Sequence, residues 1–343
     1  MHITRIAAVI TLGLSLIASR EARGALNFNF LPDAGTPQYV LDGFAAAANQ
    51  WSAALANNVT INIEIGWVPL PSGVIGQTSY PLFTSDYQTV STALGQSATS
   101  VDDRSAYAAL PTGSSYTRLI NRTTDNPNGS GSATVYVNSL APVAMTRANA
   151  RALGFLSSDH GADASIRFGS GVPFDFDPSN GITSGQYDFT RVAMHEIGHA
   201  LGFVSAVNSL EQGAGTAESV PSSILDLFRF SSQSYALGRG VTDCAADSRD
   251  KFFSVDGGAT IAGPFSAGVL GDGYQAGHWR AFYYTGLMDP TVFTGPGGLR
   301  GLSPTDLRAF DVIGFTIPEP SAAALLFVAF GAAAWVRCRK ERV

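Results

Sequence analysis

Two histidines and a glutamate in one short segment could hold and use a metal ion. Residues 192–203 read VAMHEIGHALGF, so His195 and His199 are four positions apart. On a helix both imidazoles would project from the same face and could bind one ion, at the Zn–N distance of about 2.0 Å. Glu196 would lie beside that ion, where a carboxylate can take a proton from metal-bound water and pass it to a leaving amine. The spacing therefore predicts a zinc site with its own general base.

An ordinary surface helix that carries two histidines is the alternative interpretation of this segment. Against it, the apolar residues Val192, Ala200 and Leu201 give the predicted helix a core-facing side. Moreover, residues 25–317 contain four histidines, and two of them fall in this segment. We therefore expect a metal site here.

The run of His195, Glu196, His199 and Gly202 resembles the HExxHxxG motif of the metzincin metallopeptidases. Glycine permits a sharp helix end, after which the chain can turn back and bring a third ligand to the metal. In the usual metzincin pattern a histidine stands three residues after the glycine, but Ser205 occupies that position here. Serine is not a credible zinc ligand, so the third ligand must come from elsewhere.

His278 offers that ligand, in the segment AGHWRAFYYTGLMDP. Leishmanolysin-like metzincins place an insertion between the glycine and the third histidine, and a Met-turn follows that histidine closely. The order and spacing of His278 and Met288 are similar to this arrangement. The resemblance implies that His195, His199 and His278 bind Zn²⁺ and that Met288 packs beneath them as a structural Met-turn.

The detailed match covers residues 188–203 and 274–293. It further implies that residues 289–293 line the substrate cleft. Tyr283 or Tyr284 could donate a hydrogen bond to a tetrahedral oxyanion, although packing is the stronger expectation for both.

Glu218 is the competing third ligand, because thermolysin-like peptidases take a glutamate from beyond the second histidine. It occurs in GAGTAESVP, which is typical of a loop rather than of the helix that such a glutamate needs. His160, in SSDHGADA, is predicted to be a solvated loop residue. We therefore expect His278 to be the third ligand.

The elements that must position this segment are indicated by hydrophobic periodicity. Residues 25–30 and 59–65 alternate apolar and polar side chains, as strands do, and apolar residues between Leu41 and Leu55 recur at helical spacing. Strand, helix and strand in this order predict a βαβ unit and a mixed sheet covered by helices. Later elements are predicted as partly helical residues 84–110, a loop at 124–132, strands at 133–139 and 164–168, a helix near 145–153 and a helix capped by Ser303.

We expect an α+β fold of metzincin type, in which a mixed twisted sheet and the active-site helix form an N-terminal lobe, residues 25–203. A smaller, loop-rich C-terminal lobe would comprise residues 204–317. The sequence contains no internal repeat and no linker rich enough to separate independent domains. Residues 25–317 are therefore predicted to be one metallopeptidase domain.

Residues 1–24 are predicted to be a signal peptide. A short basic start precedes an apolar run, residues 6–18, that is too short to span a bilayer comfortably. Small residues at Ala22 and Gly24 would suit cleavage after Gly24. An N-terminal membrane anchor is the alternative.

Residues 318–343 begin with Pro-Glu-Pro, continue with an apolar stretch and end in a basic cluster. This order resembles the PEP-CTERM sorting signals of Gram-negative bacteria, which implies recognition and cleavage by an exosortase-type enzyme. It also implies transient membrane association through residues 321–336. A permanent C-terminal anchor is the alternative. We expect an exported protein of the periplasm, the outer surface or the extracellular matrix.

Charge and composition exclude several classes of protein. The two ends carry seven basic and three acidic residues, so their removal moves the formal net charge from −6 to −10. A core that acidic is a poor candidate for binding a phosphate backbone, and we expect no nucleic-acid partner. The 45% hydrophobic content excludes a disordered chain. Cys244 is the only cysteine of residues 25–317, so this domain has no internal disulfide.

Together these patterns predict an exported zinc-dependent endopeptidase that hydrolyses peptide bonds with water activated by Glu196. One alternative is a catalytically silent surface or matrix-binding protein with a structural metal. Glu196 argues against it, because a structural site needs a fourth ligand and no general base. The other alternative is a thermolysin-like peptidase that uses Glu218.

Overall fold

The computed structural model describes residues 24–157, 161–213, 220–296 and 301–318. Nearly all of the predicted signal peptide and the apolar segment 321–336 lie outside these residues, as do His160 and Glu218. Among the described helices, none combines the length and the apolar character that crossing a membrane requires.

Short strands and helices alternate along the chain. The strands are β1 (Asn27–Pro32), β2 (Thr60–Val68), β3 (Gly76–Ser79), β4 (Leu82–Asp86), β5 (Tyr116–Ile120), β6 (Tyr136–Leu140), β7 (Pro142–Thr146), β8 (Ala164–Gly169), β9 (Phe174–Asp175), β10 (Tyr187–Asp188), β11 (Ser222–Ser223), β12 (Arg229–Phe230), β13 (Thr242–Asp243), β14 (Lys251–Phe253) and β15 (Gly263–Phe265). The helices are α1 (Gln38–Ala54), α2 (Tyr87–Ser97), α3 (Val101–Ala109), α4 (Arg147–Ala152), α5 (Phe189–Leu201), α6 (Ala206–Gln212), α7 (Ser232–Leu237) and α8 (Pro304–Val312).

The main sheet has four strands in the order β1, β2, β8 and β3. β1 and β2 are parallel and flank α1, so the predicted βαβ unit is confirmed. β8 is parallel to β2, whereas β3 runs antiparallel to β8 at the edge of the sheet. Ile61, Ile63 and Ile65 are fully buried on the face of β2, as the alternating pattern predicts.

Helix α5 packs against α1 and against strands β3 and β8 of this sheet. The Trp51 indole of α1 donates a 3.0 Å hydrogen bond to the carbonyl of Met194 on α5. Aromatic rings fill the remaining space, with centroids 5.5 Å apart for Phe44 and Phe189 and 4.7 Å apart for Trp51 and Phe310. These contacts fix the metal-site segment against the rigid part of the fold.

Four smaller sheets of two or three strands complete the structure. With the helices, they give the mixed α+β architecture that the sequence predicts. One hydrophobic cluster extends from Leu26 through Phe189 and Trp279 to Phe315, so both predicted lobes contribute to the same core.

The structure confirms the predicted start of α8 and shows a later start for β6. The capping box predicted at Ser303 is present, with Ser303 and Asp306 bonding each other's backbone N–H groups. β6 begins at Tyr136, three residues later than predicted. The reason is that the Asn126 amide donates to the carbonyls of Ser132 and Thr134 and holds them in the preceding turn.

Candidate metal centre

Helix α5 presents its two histidines to a cleft and ends directly after them. The helix begins at Asp188, whose carboxylate accepts from the Arg191 N–H group at 3.0 Å. It ends at Gly202, whose φ of 123° is a conformation that few residues other than glycine adopt. The chain then reverses, and the Phe203 carbonyl comes within 2.8 Å of His199 Nδ1. The predicted sharp helix end is therefore present, and it also orients a candidate ligand.

The structure brings His195, His199 and His278 together. Their Nε2 atoms form a nearly equilateral triangle, with edges of 3.1 Å from His199 to each of the other two and 3.2 Å from His195 to His278. His195 and His278 are 83 residues apart in sequence, so only the tertiary fold creates this cluster. Within the part of the chain that the structure describes, no other group of three or more potential metal ligands occurs.

Backbone carbonyls hold all three rings in the same tautomer. The Nδ1 atoms of His195, His199 and His278 lie 2.8 Å from Leu287 O, 2.8 Å from Phe203 O and 3.1 Å from Gln275 O, respectively. A carbonyl only accepts hydrogen bonds, so each Nδ1 carries a proton, and in a neutral ring Nε2 then keeps its lone pair. Three lone pairs then converge on one point.

This donor set fits a zinc ion. Lone pairs at such short separations repel one another unless a cation lies among them. The centre of the triangle is about 1.8 Å from each nitrogen, a spacing that would suit an ion at the usual Zn–N distance of about 2.0–2.1 Å. Imidazole nitrogens are ligands that zinc prefers, and tetrahedral coordination leaves one position open on this cluster.

Burial keeps two of the imidazoles neutral. Burial and, to a smaller extent, the neighbouring His195 lower the pKa of His199 to about 3, while the hydrogen bond to the Phe203 carbonyl acts in the opposite direction. Burial and the other two histidines also hold the pKa of His278 well below its ordinary value. Both rings therefore offer a free Nε2 at neutral pH.

Asp306 connects the third histidine's neighbourhood to the predicted Met-turn. Its carboxylate accepts a 2.7 Å hydrogen bond from the Trp279 indole and another of 2.7 Å from the Leu287 N–H group. Trp279 also donates its own N–H group to the Met288 carbonyl at 2.9 Å. The sequence indicated Asp306 only as a capping residue, because its bonds to Trp279 and Leu287 span 27 and 19 residues.

Met288 lies directly against α5. It is fully buried, and a Cβ atom built on Gly198 would come within 2.5 Å of its sulfur. The Leu287 carbonyl beside it is the hydrogen-bond partner of His195 Nδ1. The segment around Met288 thus supports the histidine cluster through both packing and a hydrogen bond.

Glu196 lies in the same cleft, with a partner that the sequence did not reveal. The Thr78 hydroxyl of β3 lies 2.6 Å from Glu196 Oε2 and 3.0 Å from the Glu196 carbonyl. Burial raises the pKa of Glu196, while His195 and the Thr78 hydrogen bond act in the opposite direction. A carboxylate with a raised pKa is a stronger base than an exposed one.

The cleft around these groups has a volume of about 690 Å³. Its walls come from β3 and the segment before it, from α5 and from both ends of the segment that follows His278. Asp289, Pro290, Thr291, Val292 and Phe293 all line it, as the metzincin resemblance implies. Tyr80, Tyr187 and Phe282 also line it, and sequence analysis did not single them out because no short-range pattern connects them to the histidines.

Several other expectations have a clear outcome. Ser205 lies off the histidine cluster and caps α6, where its hydroxyl donates to Asp226 at 2.7 Å. The packing role expected for Tyr283 and Tyr284 is wrong, because both side chains are exposed; neither ring lines the cleft. Cys244 is a buried free thiol whose pKa burial raises to about 12. Glu218 and His160, outside the described residues, stay predictions.

Comparisons of the chain with protein-family models, with curated proteins and with solved structures find no match. The function of the protein is therefore inferred from the chemistry of the cleft.

Proposed function

We propose that the protein is an exported zinc-dependent endopeptidase of metzincin type. The observation that carries this proposal is the convergence of three imidazole Nε2 atoms, 3.1–3.2 Å apart, in the cleft that also holds the Glu196 carboxylate. Three imidazoles with an open fourth position are a donor set of catalytic zinc sites.

The metzincin assignment is supported by the arrangement around the histidines. Helix α5 ends at Gly202, His278 follows after a long insertion, and Met288 packs beneath the helix. This is the layout that the resemblance to leishmanolysin-like enzymes implies. The four-stranded mixed sheet next to α5 is consistent with it.

Zinc bound by His195, His199 and His278 would polarise the scissile carbonyl and make a water molecule more acidic. Glu196 takes the proton of the attacking water on its carboxylate and delivers it to the nitrogen of the leaving amine. The Thr78 hydroxyl fixes the orientation of that carboxylate through its hydrogen bond to Oε2. The histidines contribute their fixed tautomers, and the burial of Glu196 limits its contact with solvent.

Strand β3 offers a docking edge for an extended polypeptide. It pairs with β8 on one side and ends the main sheet on the other. Its residues Gly76, Gln77 and Thr78 line the cleft beside Glu196. Backbone groups on a sheet edge can pair with a peptide as an added strand, which would bring a peptide bond close to the metal centre. A polypeptide is therefore the substrate class that we propose.

A purely structural metal has less support. Such a site would need four protein ligands, whereas the described residues place three ligand atoms together and no fourth. In addition, Glu196 can act as a general base in the cleft only if water or substrate reaches the metal.

Hydrolysis of an unfolded protein substrate tests the proposal. We expect the zinc-loaded protein to cleave it and Glu196→Gln to lose at least about a hundredfold in rate with unchanged zinc content. Glu64→Gln, an exposed glutamate of β2, is the matched control and should retain activity. If wild type and Glu196→Gln have equal rates, or if neither cleaves while both hold zinc, the proposal is wrong.

We further propose export through residues 1–24 and sorting through residues 318–343 by an exosortase-type enzyme. Intact mass of the protein from a host with such an enzyme should correspond to a chain that lacks both ends. Retention of residues 318–343 in the mature protein would instead identify a permanent anchor.

A further inference from the structure

Three consecutive aromatic residues project from the segment between His278 and Met288. Phe282, Tyr283 and Tyr284 are between 50 and 61% exposed, and we call them the aromatic loop. Large apolar side chains so close to a candidate metal centre need a reason, because exposure to water costs each of them free energy.

The loop is firmly held at both ends. The Trp279 N–H group bonds the Met288 carbonyl at 2.9 Å, and the Leu287 N–H group bonds Asp306 at 2.7 Å. Trp279 and Leu287 are fully buried. Both ends of the loop are therefore held in place relative to the histidine cluster.

The backbone of this loop is strained at two of the three aromatic residues. Phe282 has a φ of 65° and Tyr284 a φ of 53°, in the left-handed region that disfavours bulky side chains. Elsewhere among the described residues, only Arg122 is a non-glycine with positive φ. Glycine or asparagine would relieve this strain, so folding alone does not account for aromatic residues here.

Among the three, Phe282 is the one that faces the cleft. It lines the cleft together with Phe293, Glu196 and the three histidines. Tyr283 is held elsewhere, because the Arg280 guanidinium lies over its ring at 5.5 Å and pairs with Asp250. Phe282 thus lies at the cleft, where its ring also contacts the Tyr274 ring edge-on, with centroids 6.1 Å apart.

The cleft wall is partly apolar, and its charged residues are acidic. No lysine or arginine occurs among the described residues that line it, and its acidic members are Glu196 and Asp289. Asp289 is already occupied, since its carboxylate accepts from Thr291 and from the Tyr284 N–H group. Polar side chains such as Gln77 line the cleft as well, but Phe282, Val292 and Phe293 offer apolar contact to a substrate side chain, and an acidic side chain would be repelled.

We propose that Phe282, together with Phe293, selects polypeptide substrates that carry a bulky apolar side chain near the scissile bond. This inference rests on the proposed peptidase function, because it assigns specificity to the same cleft. An apolar side chain of the substrate would cover the exposed Phe282 ring and so recover the free energy that exposure costs.

The test measures binding, so that it does not depend on hydrolysis. Two labelled decapeptides of glycine, alanine and serine, one with a central Phe and one with a central Ser, are titrated by fluorescence anisotropy into full-length, zinc-loaded Glu196→Gln protein. We expect the Phe peptide to bind about fivefold or more tightly than the Ser peptide. Adding Phe282→Asn should reduce this ratio to about one without lowering the melting temperature, because asparagine adopts positive φ more readily than phenylalanine.

The control adds Tyr235→Asn, which removes an exposed aromatic residue of α7 that lies off the cleft; it should leave the ratio unchanged. Equal affinity for the two peptides, or a ratio that survives Phe282→Asn, overturns the inference. Two other results would also overturn it, provided that the peptide ratio stays intact. In one, Phe282→Asn abolishes binding to phosphatidylcholine–phosphatidylglycerol vesicles. In the other, Phe282→Asn abolishes a dimer that the wild type forms in sedimentation. Failure of the peptidase proposal is separate, because it appears as the absence of cleavage by the wild type.

Discussion

The hydroxyl of Thr78 donates a 2.6 Å hydrogen bond to Oε2 of Glu196, across 118 residues of sequence. This contact joins the edge strand of the main sheet to the helix that carries the histidines. Both residues are in the same cleft, so the strand that could dock a polypeptide also orients the candidate general base.

Thr78→Val removes the hydroxyl and keeps the shape of the side chain. A hydrogen bond to a charged group contributes about 1.5–3 kcal/mol, so we expect kcat to fall by roughly tenfold or more while KM and zinc content stay nearly constant. Steady-state kinetics on a peptide substrate measures this. Thr78→Ser, which keeps the donor, should recover most of the activity. An equal loss in Thr78→Ser, which keeps the hydroxyl, would mean that the hydrogen bond to Glu196 does not account for the effect.

His278→Ala should separate the two candidates for the third ligand. A catalytic zinc site needs three protein ligands, so loss of His278 should leave the purified protein with little zinc. Glu218→Ala should retain a full equivalent of the metal. Elemental analysis after dialysis against a weak chelator measures both. The reverse pattern would favour a thermolysin-like ligand set.

Gly198→Ala tests the contact between α5 and the segment around Met288. The new methyl would come within 2.5 Å of the Met288 sulfur and 3.4 Å of the Trp51 ring. Overpacking a buried site costs about 1–3 kcal/mol, whereas the gain in helix propensity is about 1 kcal/mol. We therefore expect a net loss of about 1 kcal/mol in the free energy of unfolding and weaker zinc retention.

Urea denaturation of the Gly198→Ala protein gives this free energy directly. Gly171→Ala is the matched control, because a Cβ at Gly171 meets nothing within 4 Å and its φ is not positive. A loss of the same size in the control would show that the effect is not specific to the contact with Met288.

Asp311 of α8 should make stability depend on pH. Burial raises its pKa to about 7, and Asp103 acts in the same direction, while the hydrogen bond from Ser100 opposes them. A carboxyl group with a raised folded-state pKa holds its proton more tightly in the native state than in the unfolded chain. Its contribution is therefore fully present below the unfolded value of about 4 and is lost as pH rises through about 7.

Asp311→Asn mimics the protonated carboxyl group at every pH. We expect it to raise the melting temperature at pH 8 relative to wild type and to change it little at pH 5. Calorimetry at the two pH values measures the difference. A uniform shift at both values would mean that ionisation of Asp311 is not the cause.

Helix α5 was predictable because the information that specifies it is local. Four-residue spacing, apolar residues on one side and Gly202 at the end are all contained in fifteen consecutive residues. The βαβ unit was predictable for the same reason, since alternation and helical periodicity are properties of short segments. His278 was predictable as a candidate only through order and spacing relative to Met288.

The partners of these residues could not be predicted in this way. Thr78, Asp306 and Phe282 are ordinary residues in the sequence, and each acquires its position through contacts with a distant element or through a strained loop. The expectation that Tyr283 and Tyr284 pack inside fails for a related reason. An aromatic pair in sequence carries no information on which rings the backbone turns outward.

The sequence by itself determined the chemical types of the metal-site residues, the helix that carries two of the histidines and the α+β class of the fold. Only the tertiary structure decided that the three Nε2 atoms meet within 3.2 Å, with each Nδ1 held by a backbone carbonyl. The physical reason is the range of the forces involved. Helix periodicity and capping act over a few residues, whereas the convergence of His278 on α5 depends on packing and hydrogen bonds across most of the chain.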